Sequence, residues 1–96
     1  MITTIQKRDG RLANFDIDKI ANAIQKAFCS TVGKKDYSAC LHLAKTVTEH
    51  LQQNNLFSPS VEQIQDMVEK VLIENGHIGT AKAYILYRAE RTRIRN

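Results

Sequence analysis

Tryptophan is absent from this chain, proline occurs once, and only two cysteines and four glycines stand among its 96 residues. Each scarcity excludes something. There is no repeat and no low-complexity stretch, and 96 residues are enough for one domain and too few for two. Cys29 and Cys40 are too few and too widely spaced for a zinc site, and a reducing cytosol argues against a bridge between them. Both fall at apolar helical positions, which reads as two small buried hydrophobes. No apolar run approaches the ~20 residues needed to cross a bilayer. The opening Met1-Ile2-Thr3-Thr4-Ile5-Gln6 lacks the basic and then apolar pattern of a signal peptide, so the expected location is the cytosol.

Chemical motifs are missing as well. There is no GxxxxGK[ST] phosphate loop and no GxGxxG turn, which leaves any nucleotide site outside the P-loop and Rossmann classes. His42, His50 and His77 sit at separate places on a helical reading and read as surface histidines, without HExxH or other metal-ligand spacing. Neither cysteine has a histidine partner that would make it a nucleophile. No catalytic residue and no metal site is expected, and the chain by itself does not read as an enzyme.

What is present is a globular composition, 43% hydrophobic and 25% charged. Fourteen Lys and Arg against ten Asp and Glu give a formal charge of +4, and the pI is near 9.3. That balance favours an anionic partner without naming it: nucleic acid, nucleotide or acidic protein.

The patterning predicts a mainly α (α+β) fold. Ile2 to Lys7 alternates β-branched with polar residues, Asp9-Gly10 is a strong hairpin-turn signal, and Leu12 to Phe15 can return as a second strand. Asp16 or Asp18 can cap a first helix whose Ile17, Ile20, Ala21, Ile24 and Phe28 share a face, with Gly33 at its end. A second helix from about Asp36 to Gln53 carries Cys40, Ala44, Val47 and Leu51 as a stripe, and Asn54-Asn55 stops it. Leu56-Phe57-Ser58-Pro59 reads as an extended connector and a candidate third strand. Ser60 with Gln63 is a capping-box pattern for a third helix with Ile64, Met67, Val68, Val71 and Leu72 inside, closed by Asn75-Gly76. The fourth begins near Gly79-Thr80 and puts Ala81, Tyr84, Ile85 and Arg88 on one side. The result is a four-helix bundle capped by a small N-terminal β-hairpin or three-stranded sheet.

Charge clusters at the hairpin. Lys7, Arg8 and Arg11 surround Asp9-Gly10, and Lys19 lies in the first turns of the next helix, where several cations facing a helix N-terminus would make an anion pocket. A merely solvated hairpin tip is the simpler reading on spacing alone. Arg88 is either a snorkelling side chain or a phosphate ligand. Arg91, Arg93 and Arg95 read as a basic helix end.

Four phrases, taken together and in order, resemble the ATP-cone domain. They are Ile5-Gln6-Lys7-Arg8-Asp9-Gly10-Arg11; Phe15-Asp16 with Lys19-Ile20 and Ala23-Ile24; Val61-Glu62-Gln63-Ile64-Gln65-Asp66-Met67-Val68-Glu69; and Ala81-Lys82-Ala83-Tyr84-Ile85-Leu86-Tyr87-Arg88. The resemblance covers nearly the whole chain and is similar most of all to the cone of anaerobic ribonucleoside-triphosphate reductases. It implies a regulatory domain of a ribonucleotide reductase that binds ATP as activator and dATP as inhibitor, with Mg2+ accompanying the nucleotide. The partner implied is the catalytic domain of the parent reductase, with effector-dependent oligomerisation. Residues 1–90 would form the cone, and 91–96 a basic helix end or linker toward that domain. By resemblance Lys7 and Arg8 contact the phosphates, Lys19 is a second phosphate-binding lysine, and Ile5 sits against the adenine. Asp16 lies near the base or ribose, Gln65 stands where some members place a histidine, and Ile20 and Arg88 complete the nucleotide-binding set. Ala13 stands where some aerobic members have an acidic residue, so a contact there is missing. The alternatives are the cone of a nucleotide-responsive transcriptional repressor, a nucleic-acid-binding module using the same basic patch, and a ligand-free helical interaction module. A repressor of that kind carries a zinc ribbon with paired CxxC motifs, which this chain lacks.

Overall fold

Two short strands and four helices follow one another along the chain: β1 (Thr4–Gln6), β2 (Leu12–Asn14), α1 (Ile17–Thr31), α2 (Tyr37–Gln53), α3 (Val61–Glu74) and α4 (Ile78–Arg95). The computed structural model describes residues 2–31, 33 and 36–95, with side chains as far as Arg91. The reading of Arg93 and Arg95 as a basic helix end therefore concerns side chains outside the described residues.

Local chemistry sets most of the boundaries. The hairpin pairs Thr4 with Asn14, Ile5 with Ala13 and Gln6 with Leu12 in antiparallel register. Its turn differs from the tight two-residue form that an Asp-Gly pair suggests. The Gly10 N–H donates to the Lys7 carbonyl at 2.9 Å, and the Lys7 N–H to the Arg11 carbonyl at 2.8 Å. Only Gly10 takes a positive φ, +87°, so a type I turn over Arg8-Asp9 is followed by a left-handed glycine. Asp9 locks the turn by accepting from the Arg11 backbone N–H at 3.1 Å and from Arg11 Nε at 2.7 Å. The Arg11 backbone N–H foremost, with its guanidinium, holds the Asp9 carboxyl below the usual aspartate value.

Asp16 caps α1, its Oδ1 accepting from the Asp18 N–H at 3.0 Å. Asp36 caps α2 through the Ala39 N–H. Ser60 and Gln63 form a reciprocal capping box at the start of α3, with bonds of 2.9 and 3.1 Å. α3 ends at Asn75, where Gly76 (φ +82°) lets the His77 N–H return to the Leu72 carbonyl at 2.8 Å. α4 starts at Ile78, a residue or two before the position that Gly79-Thr80 suggested.

The core lies between the four helices, with Ile24, Cys40, Val47, Leu51, Val68, Val71 and Leu72 fully buried. α1 packs on α2 and α4, and α3 packs on the same two. Cys40 is the small buried hydrophobe expected; Cys29 is only half-buried. His42 is exposed as expected, but His50 and His77 are half-buried, and His77 meets the Phe28 ring edge-on at 5.1 Å. Among the described residues the sheet is two-stranded. The connector before α3 adds one parallel bridge, Gln6 to Ser60, with the Gln6 N–H donating to the Pro59 carbonyl at 2.9 Å. Proline's missing N–H and the immediate start of α3 keep this contact from growing into a third strand. No helix among the described residues is long and apolar enough to cross a membrane.

Candidate nucleotide site

The hairpin does not lie flat on the bundle. It stands over the N-terminal halves of α1 and α3 and the C-terminal half of α4, leaving a cleft of about 630 Å3. That volume is within the ordinary range for small-molecule sites, roughly 300–1,000 Å3.

The hairpin supplies one wall. Because Ile5 and Ala13 face each other across the ladder, the pleat turns both side chains to the same face, and both line the cleft. Ile20 and Ile64 extend this apolar surface, and Phe15, Tyr84 and Tyr87 give it aromatic surface. Tyr84 is almost fully buried, and burial pushes its hydroxyl well above the usual tyrosine range. Its ring lies 6.1 Å from that of Tyr87.

Polar groups then converge on the opening. The lining residues include Lys7, Arg8, Lys19, Lys26 and Arg91 against a single carboxylate, Asp16. Lys26 Nζ lies 5.5 Å from the centre of the Tyr87 ring and the Arg91 guanidinium carbon 6.0 Å from it, within cation–π range. Arg8 Nε is 2.8 Å from Glu62 Oε1 at the start of α3. Gln65 is half-buried, and its Oε1 is buried with no hydrogen-bond partner among the described residues. An acceptor buried this way without a partner costs stability.

Seven of the residues singled out from the sequence, Ile5, Lys7, Arg8, Asp16, Lys19, Ile20 and Gln65, line this one cleft. Arg88 does not. Its Nη1 donates to Asp66 Oδ1 at 2.9 Å and to a Glu69 carboxylate oxygen, fastening α4 to α3. Helical geometry explains the divergence. At about 100° per residue, Arg88 is rotated about 40° from Tyr84 toward α3, whereas Tyr87 and Arg91 are rotated about 60° and 20° the other way, toward α1. Lys26, Asn22, Tyr87 and Arg91 are cleft residues that the sequence reading did not assign. Helical offsets carry the missing signal: Lys26 is seven residues after Lys19, and Arg91 is seven after Tyr84. Among the described residues no group of three His, Cys, Asp or Glu side chains could hold a metal ion.

Fold and cleft together define a small, mainly α domain whose cationic, aromatic-walled pocket opens beneath an N-terminal hairpin. Residues 3–93 match the family model of the ATP cone domain, and the chain belongs to that family. It is 41% identical to a vitamin B12-dependent ribonucleoside-diphosphate reductase of Thermoplasma acidophilum, over 99% of this chain and 13% of that protein. It is 36% identical to a ribonucleoside-diphosphate reductase subunit alpha of Chlamydia pneumoniae, over 98% of this chain and 10% of the relative. An anaerobic ribonucleoside-triphosphate reductase of Haemophilus influenzae is also 36% identical, over 88% of this chain and 12% of its own length. The chain thus spans only 10 to 13% of these relatives, and the similarity runs across several kinds of reductase.

Proposed function

We propose that this domain binds ATP or dATP in the cleft beneath the hairpin and regulates the overall activity of a ribonucleotide reductase. The observation that carries the reading is the composition of that one cleft, which sets five cations around an apolar and aromatic floor. A nucleoside triphosphate carries about four negative charges on a flat, apolar base, and it needs both kinds of surface. Lys7, Arg8 and Lys19 take the phosphates, and Lys26 and Arg91 extend the cationic rim. Ile5 and Ile20 hold the base. Asp16 and Gln65, both lining the cleft, lie at the base and ribose. Arg88 acts indirectly, since its ion pairs with α3 fix the helix that carries Tyr84, Tyr87 and Arg91. A Mg2+ arriving with the nucleotide would sit on the phosphates rather than in a protein cage.

Residues 1–90 act as the regulatory cone, in the cytosol, and the chain performs no reduction itself. Its partner is the catalytic body of the parent reductase, and effector-dependent assembly is the route of its output. Because ATP and dATP differ only by the ribose 2′-hydroxyl, opposite outputs require different affinities for two states of that assembly. A cation set gathered in a concave cleft, rather than along a flat face, favours this reading over a nucleic-acid-binding module. The test is a parent reductase lacking residues 1–90: turnover is expected to persist and inhibition by dATP to disappear. Unchanged inhibition at the same dATP concentration would assign the switch elsewhere.

A further inference from the structure

The cations of the cleft are not equally available. Lys7 and Lys19 carry exposed side chains, whereas Arg8 is engaged with Glu62, Nε to Oε1 at 2.8 Å. Glu62 lies in the first turn of α3, where the helix dipole favours a carboxylate with or without a cationic partner. The same junction between hairpin and α3 is also held by neutral contacts: the Gln6 N–H to the Pro59 carbonyl at 2.9 Å and the Thr4 hydroxyl to the Ser58 hydroxyl at 2.6 Å. An anion entering the cleft does not compete for those bonds. It does compete for Arg8.

The balance of that competition follows from exposure. The two side chains of the pair are 34% and 45% exposed, and pairs of this kind change an equilibrium by only about two- to fivefold. A charge-assisted hydrogen bond from arginine to phosphate is worth about tenfold or more. Exchange therefore runs toward the phosphate, while the pair subtracts its own small contribution from the observed affinity.

We propose that Glu62 is a displaceable counter-ion for Arg8: a polyphosphate takes Arg8 from Glu62, so that Glu62 sets the affinity threshold of the site. Binding thereby removes this ionic contact between the hairpin and α3 and leaves the neutral contacts named above in place. This deepens the function proposed above and rests on the cleft being a polyphosphate site.

The test is calorimetric titration of the chain with ATP and, separately, with inorganic tripolyphosphate. Glu62→Gln is expected to bind both about two- to fivefold more tightly than wild type. The gain should vanish in the Arg8→Ala background, because the cycle isolates the pair. Glu74→Gln, an equal change of net charge at an exposed site, should leave both affinities unaltered. Equal or weaker binding by Glu62→Gln would overturn the proposal, and so would a gain that survives Arg8→Ala or appears equally in Glu74→Gln. If ATP binds and Glu62→Gln brings no gain, the counter-ion role fails and the nucleotide reading stands. If ATP binds no better than tripolyphosphate, the nucleotide reading fails and the counter-ion role is decided on tripolyphosphate alone. Failure of both ligands to bind wild type overturns both.

Discussion

Lys7 and Lys19 approach the cleft from different elements, one from the hairpin and one from the first turn of α1, and both side chains are exposed. Neither contributes to the core, so Lys7→Ala and Lys19→Ala should keep the melting temperature of the wild type. Each should lose about tenfold in ATP affinity by calorimetry, the worth of one charged hydrogen bond. Tyr84 is the opposite kind of residue. Burial raises its hydroxyl above the ordinary tyrosine value, so the folded state binds its proton more tightly than the unfolded chain does. That contribution is complete below the unfolded value of about 10 and is lost as pH rises beyond it. Urea melts should therefore show stability falling more steeply above about pH 10 in wild type than in Tyr84→Phe. Equal slopes would place the Tyr84 hydroxyl in water.

The elements were legible where their signals are local. The Ser60–Gln63 capping box and the Asn75-Gly76 ending depend on residues a few positions apart, and the sequence displays them directly. The turn at Asp9-Gly10 was legible as a turn but not as its type, because Arg11 closes on Asp9 and fixes a longer loop. The tertiary position of a helical side chain was harder to read. Arg88 and Arg91 are both near Tyr84 in the helical projection, and only the packing of α4 between α1 and α3 sends one to an ion pair and the other to the cleft. Glu69 is another such case: it reads as an exposed carboxylate yet is only 21% exposed and paired with Arg88. The stability test of α3 follows from this. Ile64→Ala and Val68→Ala, at positions 8% and 0% exposed, should each cost about 1–4 kcal/mol in denaturant melts. Lys45→Ala and Gln53→Ala on the exposed side of α2 should stay within about 0.5 kcal/mol, and the reverse order would mean that α3 turns another face inward.

At the scale of the molecule, four helices hold three walls of a cleft in fixed relation, and the hairpin closes the fourth side with its cations. Nothing in the bundle's periodicity points to a nucleotide; the hairpin's charge, the aromatic side of α4 and the family's own sequence phrases do. Whether this cleft selects an adenine nucleotide is decided by calorimetric titration of the chain with ATP, dATP and GTP at one ionic strength, repeated at higher salt. Saturable binding of ATP and dATP is expected, with GTP at least about tenfold weaker because its base presents a different hydrogen-bonding edge. Equal binding of all three nucleotides, collapsing together as salt rises, would contradict it and mark the surface as a general polyanion site.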